Sequence, residues 1–291
     1  MQKETSLRVT NEIYKPLWNP QTRIVLVTGG RGSGKSDAVS LCACDEITSF
    51  EDWVTLYTRW TLTSAEISII PEFRDKIDIL GKRDKVKVSG NIVRSTETGS
   101  TIIFSGIKAA SGTQTARLKS IKGLNKLIIE EAEEFHDEKE FNTLDDSLRA
   151  TGVPNTIVIV MNPQDVDHWI WRRWFAKSHR MEVIDGVQIP ISTHPDITHI
   201  HTTYLDNKEN LPDTYLELIE NLKLANPDAY AHRYLGKWQE RKEGVIYPNW
   251  IEGEFDLTLP YGYGLDFGFT NPDAMCKVAV DDARKLVYLK E

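Results

Sequence analysis

Cysteine is scarce: Cys42, Cys44 and Cys276 are the three in 291 residues. That number excludes a framework of paired disulfides. Cys42 and Cys44 stand two apart on a predicted helix and so point in different directions, and free, buried thiols of a reducing cytoplasm are expected. No apolar run approaches the ~18 residues of a membrane span. The opening Met1-Gln2-Lys3-Glu4-Thr5 lacks the apolar stretch of a secretory signal. Positive charge is short as well: 35 Lys and Arg against 43 Asp and Glu leave a net charge of −8. That argues against a broad basic surface for nucleic acid and leaves room only for a local patch. Repeats and low-complexity segments are missing. His199 and His201 share a face of a predicted strand, but no Cys or further His stands at zinc-ligand spacing, so no zinc site is assigned. What remains, 40% hydrophobic and 27% charged, is an ordinary globular composition with length for about two domains.

The most informative stretch is GGRGSGKS, residues 29–36, which satisfies G-x-x-x-x-G-K-[ST]. Arg23–Thr28 before it is an apolar, β-branched run that predicts a buried strand. Ser36–Ile47 after it has helical spacing, with Ala38, Val39, Leu41, Cys42 and Ile47 able to face a core. A strand, a glycine turn and a helix N-terminus suit a polyphosphate. Gly29, Gly30, Gly32 and Gly34, with Arg31 and Ser33 between them, let backbone N–H groups face phosphate oxygens, and the helix dipole adds positive potential. Lys35 is expected on the β- and γ-phosphates and Ser36 on Mg²⁺.

Further along, Leu127-Ile128-Ile129-Glu130-Glu131 is an apolar strand closing on two acids. Open α/β sheets bind ligands at that end. Glu130 is expected to hold the Mg²⁺ hydration shell and Glu131 to polarise the attacking water. Asp is the commoner residue at the first position. Glu131–Glu134 also reads as a solvated helix start. The gap between the two motifs has room for an intervening strand and helix, and the acid placed directly after the first suits the branch of ATPases that inserts a strand there. Asn-Lys-x-Asp, the base-reading motif of GTPases, is absent. ATP is therefore expected over GTP. Thr156–Met161 ends at Asn162-Pro163, where a polar residue can sense the γ-phosphate or simply make a turn.

The remaining pattern predicts a strand at Val54–Tyr57, a helix over Ser64–Lys76, a hairpin over Val86–Arg94, short strands at Thr101–Phe104 and His199–Tyr204, and helices at Pro212–Lys223 and Pro227–Leu235 with Asn226 as N-cap. Tyr14, Pro16, Leu17 and Trp18 lead into the first strand and could pack beside a base. Arg59 follows a strand expected beside the phosphate-loop strand, as a nucleotide contact or a surface charge. Trp169–Phe175 reads as core packing on the face of Ile170, Trp171, Trp174 and Phe175, or less well as a nucleic-acid contact. The expected domains are residues 1–235, a linker over 236–260, and 261–291 with three strands near 261–266, 275–280 and 285–289. Three strands cannot bury a core alone, so the last piece is expected to be part of a longer protein.

Taken in order, these motifs resemble the large terminase subunit of tailed bacteriophages. The arginine inside GGRGSGKS, Ile129-Glu130-Glu131-Ala132-Glu133, Ser105–Lys108 with Leu118-Lys119-Ser120, Met161-Asn162-Pro163, Asn226–Tyr230 through Leu235–Trp238, and Tyr263–Gly268 carry the likeness. The resemblance implies an α/β P-loop ATPase of the additional-strand (ASCE, RecA-like) type with a mostly parallel sheet, followed by a truncated ribonuclease H-like nuclease domain. It implies ATP and Mg²⁺ as cofactors, and Mg²⁺ or Mn²⁺ for a full-length nuclease. Asp266 would match the nuclease's first metal-binding carboxylate, its partner acids lying further downstream, so no nuclease activity is expected of these 291 residues alone. The implied partners are double-stranded DNA, the portal protein, the small terminase subunit and further copies in a ring, in the cytoplasm of an infected bacterium. Arg31 could neutralise phosphate or reach a neighbour, and Arg117 in the Ser111–Thr115 region could act as an arginine finger. A helicase or translocase on the same core, and an assembly module that binds nucleotide without motor activity, are the alternatives.

Overall fold

The computed structural model describes residues 11–59, 70–106, 121–240, 253–266 and 274–290. The expected Arg117 finger and Lys119, and residues 241–252 of the expected linker, lie outside them. The chain divides into two compact units, Met1–Arg241 and Lys242–Glu291.

The first unit is built on an eight-stranded sheet. Its strands are β1 (Ile24–Gly29), β2 (Val54–Arg59), β3 (Val86–Ser89), β4 (Ile92–Ser95), β5 (Thr101–Gly106), β6 (Leu124–Ile129), β7 (Thr156–Met161) and β10 (Ile197–Thr202), in the order β10-β1-β7-β6-β2-β5-β4-β3. The pairs from β10 to β5 are parallel; β4 and β3 close one edge antiparallel. β1, β6 and β7 are buried along their whole length, as strands covered on both faces must be, and so are mostly apolar, β6 alone carrying the buried Asn125 and Lys126. Alternation sends their side chains to two cores. Val25 and Val27 join Val39, Cys42 and Ile47 of α1 (Lys35–Ser49) and Phe73 and Ile77 of α2 (Ile70–Ile79). Leu26, Leu127 and Ile159 pack on Phe141 of α3 (Glu138–Asp145) and Trp169 and Trp174 of α4 (Trp169–Trp174). The tryptophan cluster is thus core, but Trp169 rather than Trp171 is buried beside Trp174: the Trp169 indole donates to Phe135 O, while Trp171 is half-buried. Cys42 and Cys44 are free and buried, and Cys276 is half-buried.

A third cluster joins the hairpin of β8 (His179–Ile184) and β9 (Val187–Ser192) to α5 (Asp213–Ala225) and α6 (Pro227–Leu235). Asn226 caps α6 as expected, accepting from Ala229 N at 3.0 Å. In the second unit β11 (Tyr261–Asp266), β12 (Ala274–Asp281) and β13 (Leu286–Lys290) form an antiparallel sheet in chain order. Among the described residues no helix is long and apolar enough to cross a membrane.

Candidate active site

The glycine loop leaves the carboxyl end of β1 and feeds α1, as its sequence requires. Gly34 caps α1 at φ 84° and ψ 13°, a left-handed conformation that a Cβ would strain. Gly30 is needed for its lack of bulk: a Cβ there would stand 2.0 Å from the carbonyl oxygen of Tyr234. The end of α6 therefore lies directly against the loop. Arg31 N donates to Arg233 O at 2.8 Å, and Gly30 N to Thr202 O at 3.2 Å. This corrects part of the expected cradle, because the N–H groups of Gly30 and Arg31 are spent on the protein's own carbonyls. That leaves residues 32–36 of the expected cradle, ending where the first N–H groups of α1 lack helical acceptors.

Lys35 is 8% exposed. Its ammonium sits 3.0 Å from Gly29 O, 2.8 Å from Gly30 O, 3.1 Å from Ser33 Oγ and 3.0 Å from Asn162 Oδ1. Burial pushes its pKa down to about 8, against the pull of Glu133 and Glu130. An ammonium has three protons to give, so the four acceptors share them.

The two acids follow β6. Glu130 is 3% exposed, and its N–H donates to Thr58 O of β2 at 2.9 Å. Glu131 turns the chain at φ 52° and ψ 45°, a left-handed conformation unusual for this residue type. Arg59 bridges both carboxylates, with Nε 3.3 Å from Glu130 Oε2 and Nη2 2.8 Å from Glu131 Oε1. The expected neighbour of Arg59 is corrected here: β2 lies beside β6, and β7 and β6 separate it from β1. Glu130 Oε1 is buried with no hydrogen-bond partner, an acceptor suited to a metal-bound water. Partial burial raises the pKa of Glu131, and Arg59 opposes that rise.

Asn162 follows directly on β7, between these two groups. Its Oδ1 accepts from Lys35, while its backbone N–H and Nδ2 donate to Glu133 Oε2 and Oε1, each at 3.2 Å. Burial raises the Glu133 pKa to about 7, even though Asn162 and Lys35 favour the carboxylate.

A cavity of about 240 Å³ gathers Arg31–Ser36, Arg59, Glu130, Glu131, Glu133 and Asn162. Gly29 and Gly30 shape it from behind without lining it. A larger cavity, about 600 Å³, shares Ser33, Gly34 and Asp37 with it and runs past Asn11, Tyr14, Lys76 and residues 205–210. The Tyr14 hydroxyl, 2.9 Å from both Ser33 O and Thr202 Oγ1, ties the lead-in to the loop, and Lys76 pairs with Asp37. Behind the loop, Thr28 Oγ1 bridges the half-buried His199 Nε2 at 2.8 Å and His201 Nδ1 at 2.9 Å. Asp266 belongs to the other unit and ends β11 opposite Ala274. Glu133, Lys76 and Asn207, whose Nδ2 donates to Gly32 O, are site residues that sequence reasoning does not reach. For Glu133 the one available signal is its place three residues after Glu130.

A parallel sheet in which β7 separates the phosphate-loop strand from the acid-bearing strand defines a P-loop fold of the additional-strand class. The phage terminase large subunit family matches residues 21–237, and the chain belongs to it. It is similar to the PBSX phage terminase large subunit of Bacillus subtilis (strain 168), with 25% identity over 288 residues, 94% of this chain and 64% of that one. It therefore spans less than two thirds of that relative. The large terminase of a thermophilic bacteriophage is similar in structure, with TM-score 0.61 and 16% identity over 97% of this chain and 68% of that one. The complex of that same terminase with ADP gives TM-score 0.58 at 16% identity and the same coverage. A variant of the Thermus phage P74-26 large terminase ATPase domain gives TM-score 0.56 at 18% identity, over 79% of this chain and 94% of that one.

Proposed function

We propose that this chain hydrolyses Mg-ATP as the motor subunit that drives double-stranded viral DNA into a procapsid. The observation that carries the ATPase reading is the meeting of Lys35, Glu130, Glu131 and Asn162 in one cavity at the carboxyl ends of β1, β6 and β7. ATP would place its phosphates on residues 32–36, where the α1 dipole favours negative charge. Lys35 leaves the carbonyls of Gly29 and Gly30 for the β- and γ-phosphates. Arg31, exposed at the rim, adds positive charge. The cavity beside Tyr14 and residues 205–210 has the size for a nucleoside, and the thermophilic phage terminase's complex with ADP supports nucleotide as the ligand class.

Ser36 and Glu130 are the residues that would hold Mg²⁺, and the unpartnered Glu130 Oε1 fits its water shell. Bound there, the ion would neutralise charge on the β- and γ-phosphates. Glu131, held by Arg59, polarises the attacking water, and its raised pKa suits a base. Asn162 reports the state of the γ-phosphate.

Family membership supports DNA, the portal protein, the small subunit and a ring of copies as partners, and the host cytoplasm as the place of work. An antiparallel β11–β13 sheet with Asp266 at the end of its first strand supports the reading of the second unit as the beginning of a ribonuclease H-like nuclease, with Asp266 as a ligand for Mg²⁺ or Mn²⁺. Equilibrium binding of Mg-ATP, compared with Lys35→Ala, tests the site. The expected result is binding weakened at least tenfold in the variant, on the order of 1.4 kcal/mol or more; equal binding by both proteins would refute it.

A further inference from the structure

The hydrogen bonds of Asn162 run the wrong way for a residue that recognises phosphate. A phosphate oxygen accepts hydrogen bonds, so Asn162 can hold it only through Nδ2. Here Nδ2 is occupied by Glu133 Oε1 at 3.2 Å, and the amide presents Oδ1 to the cavity, satisfied by Lys35 at 3.0 Å. Once Lys35 moves onto phosphate, Oδ1 loses its donor and faces an anion. Rotating the amide half a turn cures that: Nδ2 then faces the γ-phosphate. The same rotation points Oδ1 at the Glu133 carboxylate, two acceptors with no proton between them. Only a protonated Glu133, donating its O–H to Oδ1, accommodates the rotated amide.

We infer that Glu133 is the positioning residue of the γ-phosphate response, and that it takes up a proton as Asn162 rotates to meet the triphosphate. The inference rests on the reading of this cavity as a nucleotide site. The proton comes from solvent, which half-buried Glu133 can reach, forms the O–H bond at a carboxylate oxygen, and returns to solvent when phosphate leaves. The groups acting on Glu133 suit this. Lys35, across the cavity, favours the carboxylate and departs on binding, while Glu131 favours the protonated form throughout. Burial already holds the carboxyl at a pKa of about 7, so the proton is taken up at little cost near neutrality.

The test is calorimetry of the protein with Mg-ATPγS and with Mg-ADP, in buffers of different ionisation enthalpy, from about pH 6 to pH 8. Lys35, with its own pKa of about 8, regains charge near pH 8 in parent and variant alike, so the reading is the excess of uptake by the parent over Glu133→Gln: about one proton with ATPγS near pH 8, shrinking toward pH 6, with little excess for ADP. Glu133→Gln carries an N–H where the proposed acid carries its O–H. It should remove that excess and, with a pKa of about 7 removed, bind ATPγS about tenfold more tightly near pH 8 while matching the parent near pH 6. Equal proton uptake by the parent protein and Glu133→Gln on binding ATPγS overturns the inference while leaving the nucleotide site intact. Failure of either nucleotide to bind removes both.

Discussion

Arg59 Nη2 lies 2.8 Å from Glu131 Oε1, because β2 and β6 are neighbours whose carboxyl ends finish side by side. The same guanidinium reaches Glu130 at 3.3 Å. Arg59 thus compensates a buried carboxylate and fixes the direction of a second one. Arg59→Ala should destabilise the first unit by about 3 kcal/mol, since it strands the buried charge of Glu130. Arg59→Lys offers a point charge in place of a fork and should recover part of the stability while leaving turnover depressed. Urea unfolding and steady-state hydrolysis of the two variants check this; a Lys variant with parental turnover would show that the fork is not needed.

Lys126 and Glu46 form a pair inside the first core, Nζ to Oε1 2.6 Å, joining β6 to α1. Both are buried. Lys126→Met should cost about 3–5 kcal/mol, because it leaves Glu46 without its counter-charge. Combining it with Glu46→Leu should restore most of that loss. Denaturant midpoints of the two single variants and the double variant decide; additive losses would contradict a coupled pair.

The network at Thr28 makes stability sensitive to acid. Ser192 N–H donates to His199 Nδ1, and His201 Nε2 bonds Leu235 O, so both rings are placed as neutral tautomers. Burial pushes their pKa values down to about 3 for His199 and about 4 for His201. The unfolded chain takes up protons below about pH 6.5 that the native state refuses. Stability contributed by the neutral rings is complete above that value and falls as pH drops toward 4, by on the order of 1 kcal/mol per unit for each ring. Glu133, with its raised pKa, works in the opposite sense. The histidine contribution is therefore read as the difference between the parent and His201→Gln in unfolding at about pH 7 and pH 5. Equal pH dependence in the two proteins would contradict it.

Gly30 and Gly34 should fail differently on substitution. Gly34→Ala strains only its own backbone, about 1–2 kcal/mol. Gly30→Ala drives a Cβ into the Tyr234 carbonyl and must push α6 off the loop. It should cost more than Gly34→Ala and weaken nucleotide binding further; thermal unfolding with and without Mg-ATP distinguishes them, and the reverse order would contradict the packing described.

These residues also show what could be read from sequence. β1, β7 and the Leu127–Ile129 half of β6 announce themselves as apolar runs because both faces of the sheet are covered, and Glu130 and Asn162, which face the cavity, follow directly on β6 and β7. Sheet order is not local information. The strand that carries Arg59 is expected beside the phosphate-loop strand and instead stands beside the acid-bearing β6, since nothing in Val54–Arg59 says which strand is its neighbour. The β8–β9 hairpin is absent from the sequence-based expectations although Asp185-Gly186, at φ 49° and 77°, is a hairpin turn by composition. Glu133 is hidden in a run of acids that reads equally well as a solvated helix start; only the fold shows Asn162 opposite it.

Hydrolysis of Mg-ATP by the parent chain and by Glu131→Gln, over a range of protein concentrations with and without duplex DNA, tests the central claim most directly. The site described here predicts turnover in the parent and a loss of about 10²–10⁴-fold in the variant, with ATP binding retained. Turnover unchanged in Glu131→Gln would contradict it.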